Sequence, residues 1–250
     1  MIQEFYDQLS PFYHLIFEDW EVSIERQAKI IDQIIRSEWG VNHKTVVDIS
    51  CGIGTQAIGL AELNYDVEAS DLSSEEIKRA QQEAKKRNLK INFSVSDMRK
   101  SFEHHQKQFD ILISCDNSVP HLLTSSDILI AFKEFYNCLK PGGGCIITLR
   151  DYEKENRTGV QVKPYGVRIV DNKKYILFQT WEFEGDIYNL SMYFICDRGE
   201  KQPETKVFRS KYYAVSTSKI IGLMKIAGFS SVRKIECEFY QPVIIGTRKI

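Results

Sequence analysis

Val47-Asp48-Ile49-Ser50-Cys51-Gly52-Ile53-Gly54-Thr55-Gln56-Ala57 is the stretch that decides the fold. A short apolar run ends in a turn with the spacing G-x-G-x-x-A, and a helix-forming segment follows. Glycine at such a turn takes backbone angles that other residues resist, and it lets main-chain N–H groups approach a ligand closely. The pattern alone serves dinucleotide enzymes and other nucleotide binders alike. Asp48 sharpens it. A carboxylate at the strand end would repel a pyrophosphate, whereas it suits a ligand that carries an ammonium or a sulfonium.

Short apolar runs recur on either side of this turn. Thr45–Ile49, Val67–Asp71, Ile91–Val95, Asp110–Ser114 and Cys145–Leu149 read as strands buried on both faces, the mark of a parallel sheet. Helical segments separate them. One opens at Ser73 with Glu76 three residues on, a capping-box signature. Another opens near Ser126, carries Ile128, Phe132, Phe135 and Leu139 on one face, and stops at Pro141-Gly142-Gly143-Gly144. Before the first strand, Ile24, Ala28, Ile31 and Ile35 share one helix face, and an aromatic-rich segment over residues 4–17 is interrupted by Pro11. Alternation of strand and helix predicts an α/β, Rossmann-like, doubly wound sheet.

Residues 151–215 break the rhythm. Tyr188, Leu190, Met192 and Phe194 alternate, and Asp171-Asn172 and Glu184-Gly185-Asp186 read as hairpin turns, so an antiparallel insertion of three or more strands is expected. Trp181 and its aromatic neighbours are expected to form that insertion's own core. A helix from about Thr217 capped by Gly228, then strands near 232–239 and 242–249, close the chain. The expected organisation is an N-terminal helical cap (1–40), a Rossmann-like domain (41–150 and 216–250) and an antiparallel lid over the substrate (151–215).

Composition narrows the class. The 250 residues are 43% hydrophobic and 27% charged with a net charge of −1, as in ordinary globular proteins, and nothing in that balance calls for nucleic acid or an anionic membrane. No apolar run is long enough to span a bilayer, and the first residues lack the features of a signal peptide. The six cysteines form no C-x-x-C pair and no zinc-finger spacing with histidine, so a reduced, cytoplasmic protein without a structural metal is expected.

Two more acids stand at successive strand ends. Asp71 is placed to accept from ribose hydroxyls, and Asp97 to accept from an adenine amino group with Met98 packed on the ring. Together with Leu139-Lys140-Pro141-Gly142-Gly143, these segments resemble class I S-adenosylmethionine-dependent methyltransferases over residues 45–150. That family closes its seven-stranded sheet with an antiparallel hairpin, which the last two strands would supply. A narrower resemblance, to glycine and glycine/sarcosine N-methyltransferases, is carried by Asn117-Ser118-Val119-Pro120-His121-Leu122, Leu149-Arg150-Asp151-Tyr152 and Phe208-Arg209-Ser210-Lys211-Tyr212-Tyr213.

The resemblance implies S-adenosylmethionine as cofactor, S-adenosylhomocysteine as product and a small amine or amino acid as methyl acceptor. It implies that Ser50, Gly52, Gly54, Asp71, Leu72, Asp97, Met98, Cys115 and His121 surround the cofactor beside Asp48. Tyr13, Trp20 and Arg26 would cap it, with Arg26 on the methionyl carboxylate. Tyr13 and Trp20 read equally well as core aromatics, and His121 as a packing residue. Asn117 and Arg150 would hold the acceptor. Tyr212 and Tyr213 alternate faces, so at most one of them faces it. Asp116 stands where that group often carries glycine, adding a carboxylate beside the reacting centre. Arg150-Asp151-Tyr152-Glu153 also departs from the group's pattern. A nicotinamide-dependent oxidoreductase and a non-catalytic cofactor-binding protein are the other readings of the same turn. A monomer or small homo-oligomer is expected.

Overall fold

The computed structural model describes residues 2–199 and 202–250. The chain opens with helix α1 (Ile2–Leu9), a 3-10 turn (Ser10–Ile16) and helix α2 (Trp20–Glu38). Pro11 sits at the start of the 3-10 turn, as its fixed φ and missing N–H favour, and so ends α1. Asp19 caps α2 by accepting from the Val22 amide at 3.1 Å.

Strands β1 (Thr45–Asp48), β2 (Asp66–Asp71), β3 (Asn92–Val95), β4 (Phe109–Ser114) and β5 (Leu139–Thr148) follow in parallel, separated by helices α3 (Thr55–Glu62), α4 (Ser74–Lys86), α5 (Ser101–His105) and α6 (Ser125–Cys138). The chain ends with α7 (Thr217–Ala227), β10 (Ser230–Ile235) and β11 (Val243–Thr247). Sheet order is β10-β11-β5-β4-β1-β2-β3, with β11 antiparallel to β5 and β10. The order reverses direction between β1 and β4. In open α/β sheets that is the crevice where ligands bind, beyond the carboxyl ends of the strands.

Two apolar clusters cover the sheet faces, one joining Ile147, Phe132 and Met224, the other joining Ile146, Ile31 and Ala57. A second sheet, β6 (Val160–Val170), β7 (Lys173–Glu184), β8 (Ile187–Asp197) and β9 (Glu204–Tyr213), is antiparallel throughout. Asp171 and Asn172 both take positive φ in the β6–β7 turn. The inner face of this sheet does not close on itself. Trp181, Tyr188, Phe194 and Phe208 share a core with Phe5, Leu9 and Leu15 of the N-terminal segment. The expected self-contained core of the insertion is therefore a joint one.

Two boundaries differ from the sequence expectation. Pro141-Gly142-Gly143-Gly144 lies inside β5, because α6 already ends at Cys138 and the glycines let the strand pass close beneath Trp39 and beside Asp110. The strand expected over 232–239 ends at Ile235, and residues 236–242 leave the sheet as a loop toward the crevice.

Helices α2 and α3 meet at Gly59. A Cβ built there would lie 2.6 Å from Ala28 Cβ and 2.7 Å from the Ile24 carbonyl oxygen. Gly59→Val should cost about 1–3 kcal/mol through overpacking, read as a lowered denaturation midpoint at unchanged m-value.

Candidate active site at the sheet crevice

Two cavities open at the crevice. The smaller, about 290 Å³, is lined by Ile49, Ser50, Gly52, Asp71, Leu72, Asp97, Met98, His121 and Leu122. The larger, about 890 Å³, lies between the N-terminal segment, the ends of β4 and β5 and the antiparallel sheet. Tyr6, Tyr13 and Asp116 border both.

The smaller cavity is built on the glycine turn. Gly52 has φ +52° and Gly54 φ +93°, the left-handed region that favours glycine. The Asp71 carboxylate ties this turn to the start of α4, accepting from the Gly52 amide and the Ser73 amide, each at 2.9 Å. Burial still pushes the Asp71 carboxyl above its ordinary range, against these backbone bonds. Asp48 is fully buried beneath the turn. Its Oδ1 accepts from the Ser50 amide at 3.3 Å, while Oδ2 has no partner among the described residues. Burial raises its pKa strongly, with Asp71 and Asp116 adding to the effect. Ser50 Oγ pairs with Ser114 Oγ at 2.7 Å.

Asp97 both caps the following 3-10 turn and borders the cavity. Its amide bond from Arg99 is 2.9 Å, and the Arg99 Nη2 contact is 2.6 Å. Burial works to raise the Asp97 carboxyl, but these bonds outweigh it and hold it low.

Asp116 and Asn117, just past β4, both have positive φ, 58° and 67°. Two successive non-glycine residues in that region are strained. The Asp116 amide donates to Thr148 Oγ1 at 2.9 Å and the Asn117 amide to the Thr148 carbonyl at 3.1 Å, which hold the turn. Asp116 Oδ2 accepts from Gln56 Nε2 at 3.0 Å, and Oδ1 accepts from the Tyr240 hydroxyl. Burial pushes its pKa up to about 6, against the bond from Gln56 and the charge of Arg150. The Asn117 side chain exchanges hydrogen bonds with the Tyr152 hydroxyl, Nδ2 donating at 2.7 Å and Oδ1 accepting at 3.0 Å, and Oδ1 also accepts from the Arg150 amide at 3.0 Å.

The Arg150 guanidinium stands over the Trp181 ring, 4.9 Å from its centroid, and donates to the Tyr165 hydroxyl at 2.9 Å. No carboxylate pairs with it among the described residues. The Tyr6 hydroxyl lies 2.6 Å from His121 Nε2 and 3.3 Å from the Tyr212 hydroxyl, and the His121 and Tyr212 rings lie 3.8 Å apart, tilted at 37°. Burial drives the His121 pKa down to about 3, so the imidazole is neutral at physiological pH.

Several expected residues lie elsewhere. Trp20 does not cover the crevice. Its indole donates to Thr55 Oγ1 at 2.9 Å and packs with Ile24, Ile53 and Ile58, which anchors α2 on α3. Arg26 borders the larger cavity, exposed and without an ion-pair partner among the described residues, not the smaller one. Gly54 faces Ile58 and Ala80, and the Cys115 side chain belongs to the core, so neither lines the smaller cavity. Tyr213 points away toward α6 and α7, where its hydroxyl meets Ser125 at 3.1 Å and accepts from Lys219; Tyr212 is the tyrosine that borders the larger cavity. Sequence reasoning missed Tyr6, Gln27, Gln56, Tyr165 and Tyr240 as wall residues. Gln27 carried a legible signal, a polar residue beside Ile24, Ala28 and Ile31 on the apolar side of α2.

A glycine turn that brings the main chain to the cavity wall, an acid at the second strand end, apolar walls from Ile49, Leu72, Met98 and Leu122, and an orphaned buried carboxylate oxygen on Asp48 suit a cationic nucleoside. The comparisons agree. The model of the methyltransferase domain family matches residues 46–143. Glycine/sarcosine N-methyltransferase of Aphanothece halophytica is 34% identical over 110 residues, 44% of this chain and 42% of that one. Phosphoethanolamine N-methyltransferase 3 of Arabidopsis thaliana is 33% identical over 137 residues, 52% of this chain and 26% of that one. The chain thus spans less than half the length of these two relatives. The S-adenosylmethionine-bound structure of CalS10, an amino pentose methyltransferase from Micromonospora echinaspora, shares the fold at a TM-score of 0.77 and 16% identity over 91% of this chain and 92% of that one.

Residues 46–143 thus match a methyltransferase domain, carried on a Rossmann-like sheet. S-adenosylmethionine is bound in the CalS10 structure, and the lining of the smaller cavity suits that cofactor better than a nicotinamide nucleotide. Among the described residues no helix is long and apolar enough to cross a membrane, and no cluster of metal-binding side chains is found.

Asp71→Asn should weaken S-adenosylhomocysteine binding roughly 10- to 100-fold in calorimetry, the worth of a charged hydrogen bond. Trp20→Phe should leave that affinity nearly unchanged and lower the melting temperature instead.

Proposed function

We propose that this chain transfers a methyl group from S-adenosylmethionine to the nitrogen of a small amine that also bears an anionic group. One observation carries the reading. Asp116, a half-buried carboxylate, stands at the seam of the two cavities, and the larger one holds Arg150 with no carboxylate partner among the described residues. An acceptor with a cationic end and an anionic end complements both. The named activities of the glycine/sarcosine and phosphoethanolamine N-methyltransferase relatives support an acceptor of this kind. A cavity of about 890 Å³ is several times what glycine would fill, which favours a larger member of the class.

When bound, S-adenosylmethionine supplies a methyl group activated by its sulfonium. Asp71 would accept from the ribose hydroxyls, Asp97 from the adenine amino group, and Leu72, Met98 and Leu122 would flank the base. Arg150, held by Tyr165 and Trp181, grips the anionic end of the acceptor. Asp116 attracts the acceptor ammonium and takes its proton, because the nitrogen must be neutral to form the new N–C bond. Tyr212, fixed by Tyr6 and by the neutral His121 ring, turns the lone pair toward the seam. Alignment of this kind contributes up to ~7–11 kcal/mol in well-oriented systems. The antiparallel sheet serves as a lid that keeps water from the seam. The unpaired thiols of all six cysteines support a cytoplasmic setting.

A panel of amino acids, amino sugars and phospho-amines, assayed by S-adenosylhomocysteine release, tests the reading; no turnover with any amine would overturn it. With an accepted amine, kcat/KM should rise with pH through a limb near the Asp116 pKa of about 6, since the carboxylate must be unprotonated to act. Asp116→Asn should abolish that limb and cost about 10²-fold or more. Arg150→Ala should raise the acceptor KM roughly 10-fold or more with cofactor affinity retained. Tyr212→Phe should lower kcat, whereas Tyr213→Phe should leave it little changed.

A further inference from the structure

Gln27 plays no part in the chemistry above. It is 1% exposed, and its Nε2 donates to nothing among the described residues. It stands on α2, on the wall of the larger cavity, beside Arg26 and one turn on from Ser23. The other end of its amide is in use. Gln27 Oε1 accepts from Gln56 Nε2 at 2.7 Å, and the same Gln56 nitrogen donates to Asp116 Oδ2 at 3.0 Å. Gln27 borders the larger cavity, Gln56 the smaller and Asp116 both, so this chain of amides runs along the seam.

Asp116 sets the direction of the chain. An ionised carboxylate accepts and cannot donate, so Gln56 must turn its NH2 toward it. The second N–H of that group then needs an oxygen, which Gln27 supplies. Reversing either amide would set like groups against each other. Gln27 is therefore left with its own NH2 directed away from Gln56. Its neighbours on the same wall do not call for it: Arg26 carries donors alone, and Ser23 Oγ gives its proton to the Asp19 carbonyl at 2.7 Å. A buried N–H pair without a protein acceptor, on a cavity wall, is matched by an oxygen on whatever enters the cavity. Asp116 and Arg150 already answer the cationic and anionic ends of an acceptor. Gln27 adds a third point, linked through one amide to the group that takes the ammonium proton.

We propose that Gln27 is a specificity-determining residue whose side-chain N–H groups donate to an uncharged oxygen, a hydroxyl or a carbonyl, carried by the acceptor near its reacting nitrogen. This rests on the amine-acceptor reading above and narrows it to oxygen-bearing amines; glycine, whose oxygens all belong to its anionic end, lacks the feature. The test uses acceptors paired to differ by one oxygen: serine with alanine, threonine with 2-aminobutyrate, and glucosamine 6-phosphate with its 3-deoxy analogue. S-adenosylhomocysteine release by the full chain gives kcat/KM for each. In the parent chain the oxygenated member of an accepted pair should exceed its partner about tenfold or more. Gln27→Glu keeps an oxygen for Gln56 and removes the donors, and Gln27→Leu removes both. In each variant that ratio should fall to about one, with S-adenosylhomocysteine affinity in calorimetry nearly unchanged. A ratio near one in the parent chain would overturn the proposal, and that outcome needs no variant to fold. Equal losses for both members of every pair would also overturn it, because Gln27 would then only brace Gln56 and Asp116. So would a matching loss of S-adenosylhomocysteine affinity, which would give the N–H groups to the cofactor. No turnover of any pair would refute the amine-acceptor reading, and the proposal with it.

Discussion

The Asp71 carboxylate is the fastening on which the crevice depends. One oxygen takes the Gly52 amide and the other the Ser73 amide, so the end of β2 holds the glycine turn after β1 against the first turn of α4. Neither neighbour is free to relax by itself. The cost is an acid withdrawn from water, and backbone N–H bonds to a carboxylate are among the stronger compensations a protein has. Removing Asp71 would therefore disturb two elements at once, beyond the hydrogen bonds it would offer a ribose.

Acids wholly or partly withdrawn from water then set the character of the whole region. Asp48, Asp71, Glu76 and Asp116 all lie within or under the crevice, and burial raises each of their pKa values. Such a cluster repels anions and leaves a deficit of positive charge that a cationic ligand fills. The larger cavity mixes the signs, with Arg26, Arg150, Lys154 and Lys163 on its walls beside Glu18, Asp19, Asp151 and Glu155. The two cavities thus differ in electrostatic character, and Asp116 at their junction is the group that senses both.

Much of this was legible in the sequence, for physical reasons. The buried strands announce themselves because parallel strands need apolar side chains on both faces, and the glycine turn because few residues tolerate its backbone angles. The placement of Asp71 and Asp97 followed from strand ends alone. Side chains that reach across the chain were harder. Trp20 sits in a cap-like segment, but its indole found Thr55 in a neighbouring helix, and no local pattern encodes that partner. Tyr213 and Tyr212 alternate faces as strands require; only the position of β9 against α1 and α6 selects which one meets the cavity. Tyr6 and Tyr240 arrive from opposite ends of the sequence, and their role is set by tertiary packing that periodicity does not record.

The antiparallel sheet and the N-terminal segment bury one apolar core between them, with Phe12 against Phe194 and Phe208, and Arg168 Nε donating to the Phe17 carbonyl at 2.6 Å. A sheet that lacks its own second layer is not a portable module. Exchange of residues 160–213 with a homologous segment would strand Phe5, Leu9 and Leu15 against a foreign surface. The unit that packs together in this scaffold is the pair, sheet plus amino-terminal arm, and recombination that respects that pairing is the kind that yields folded chimaeras.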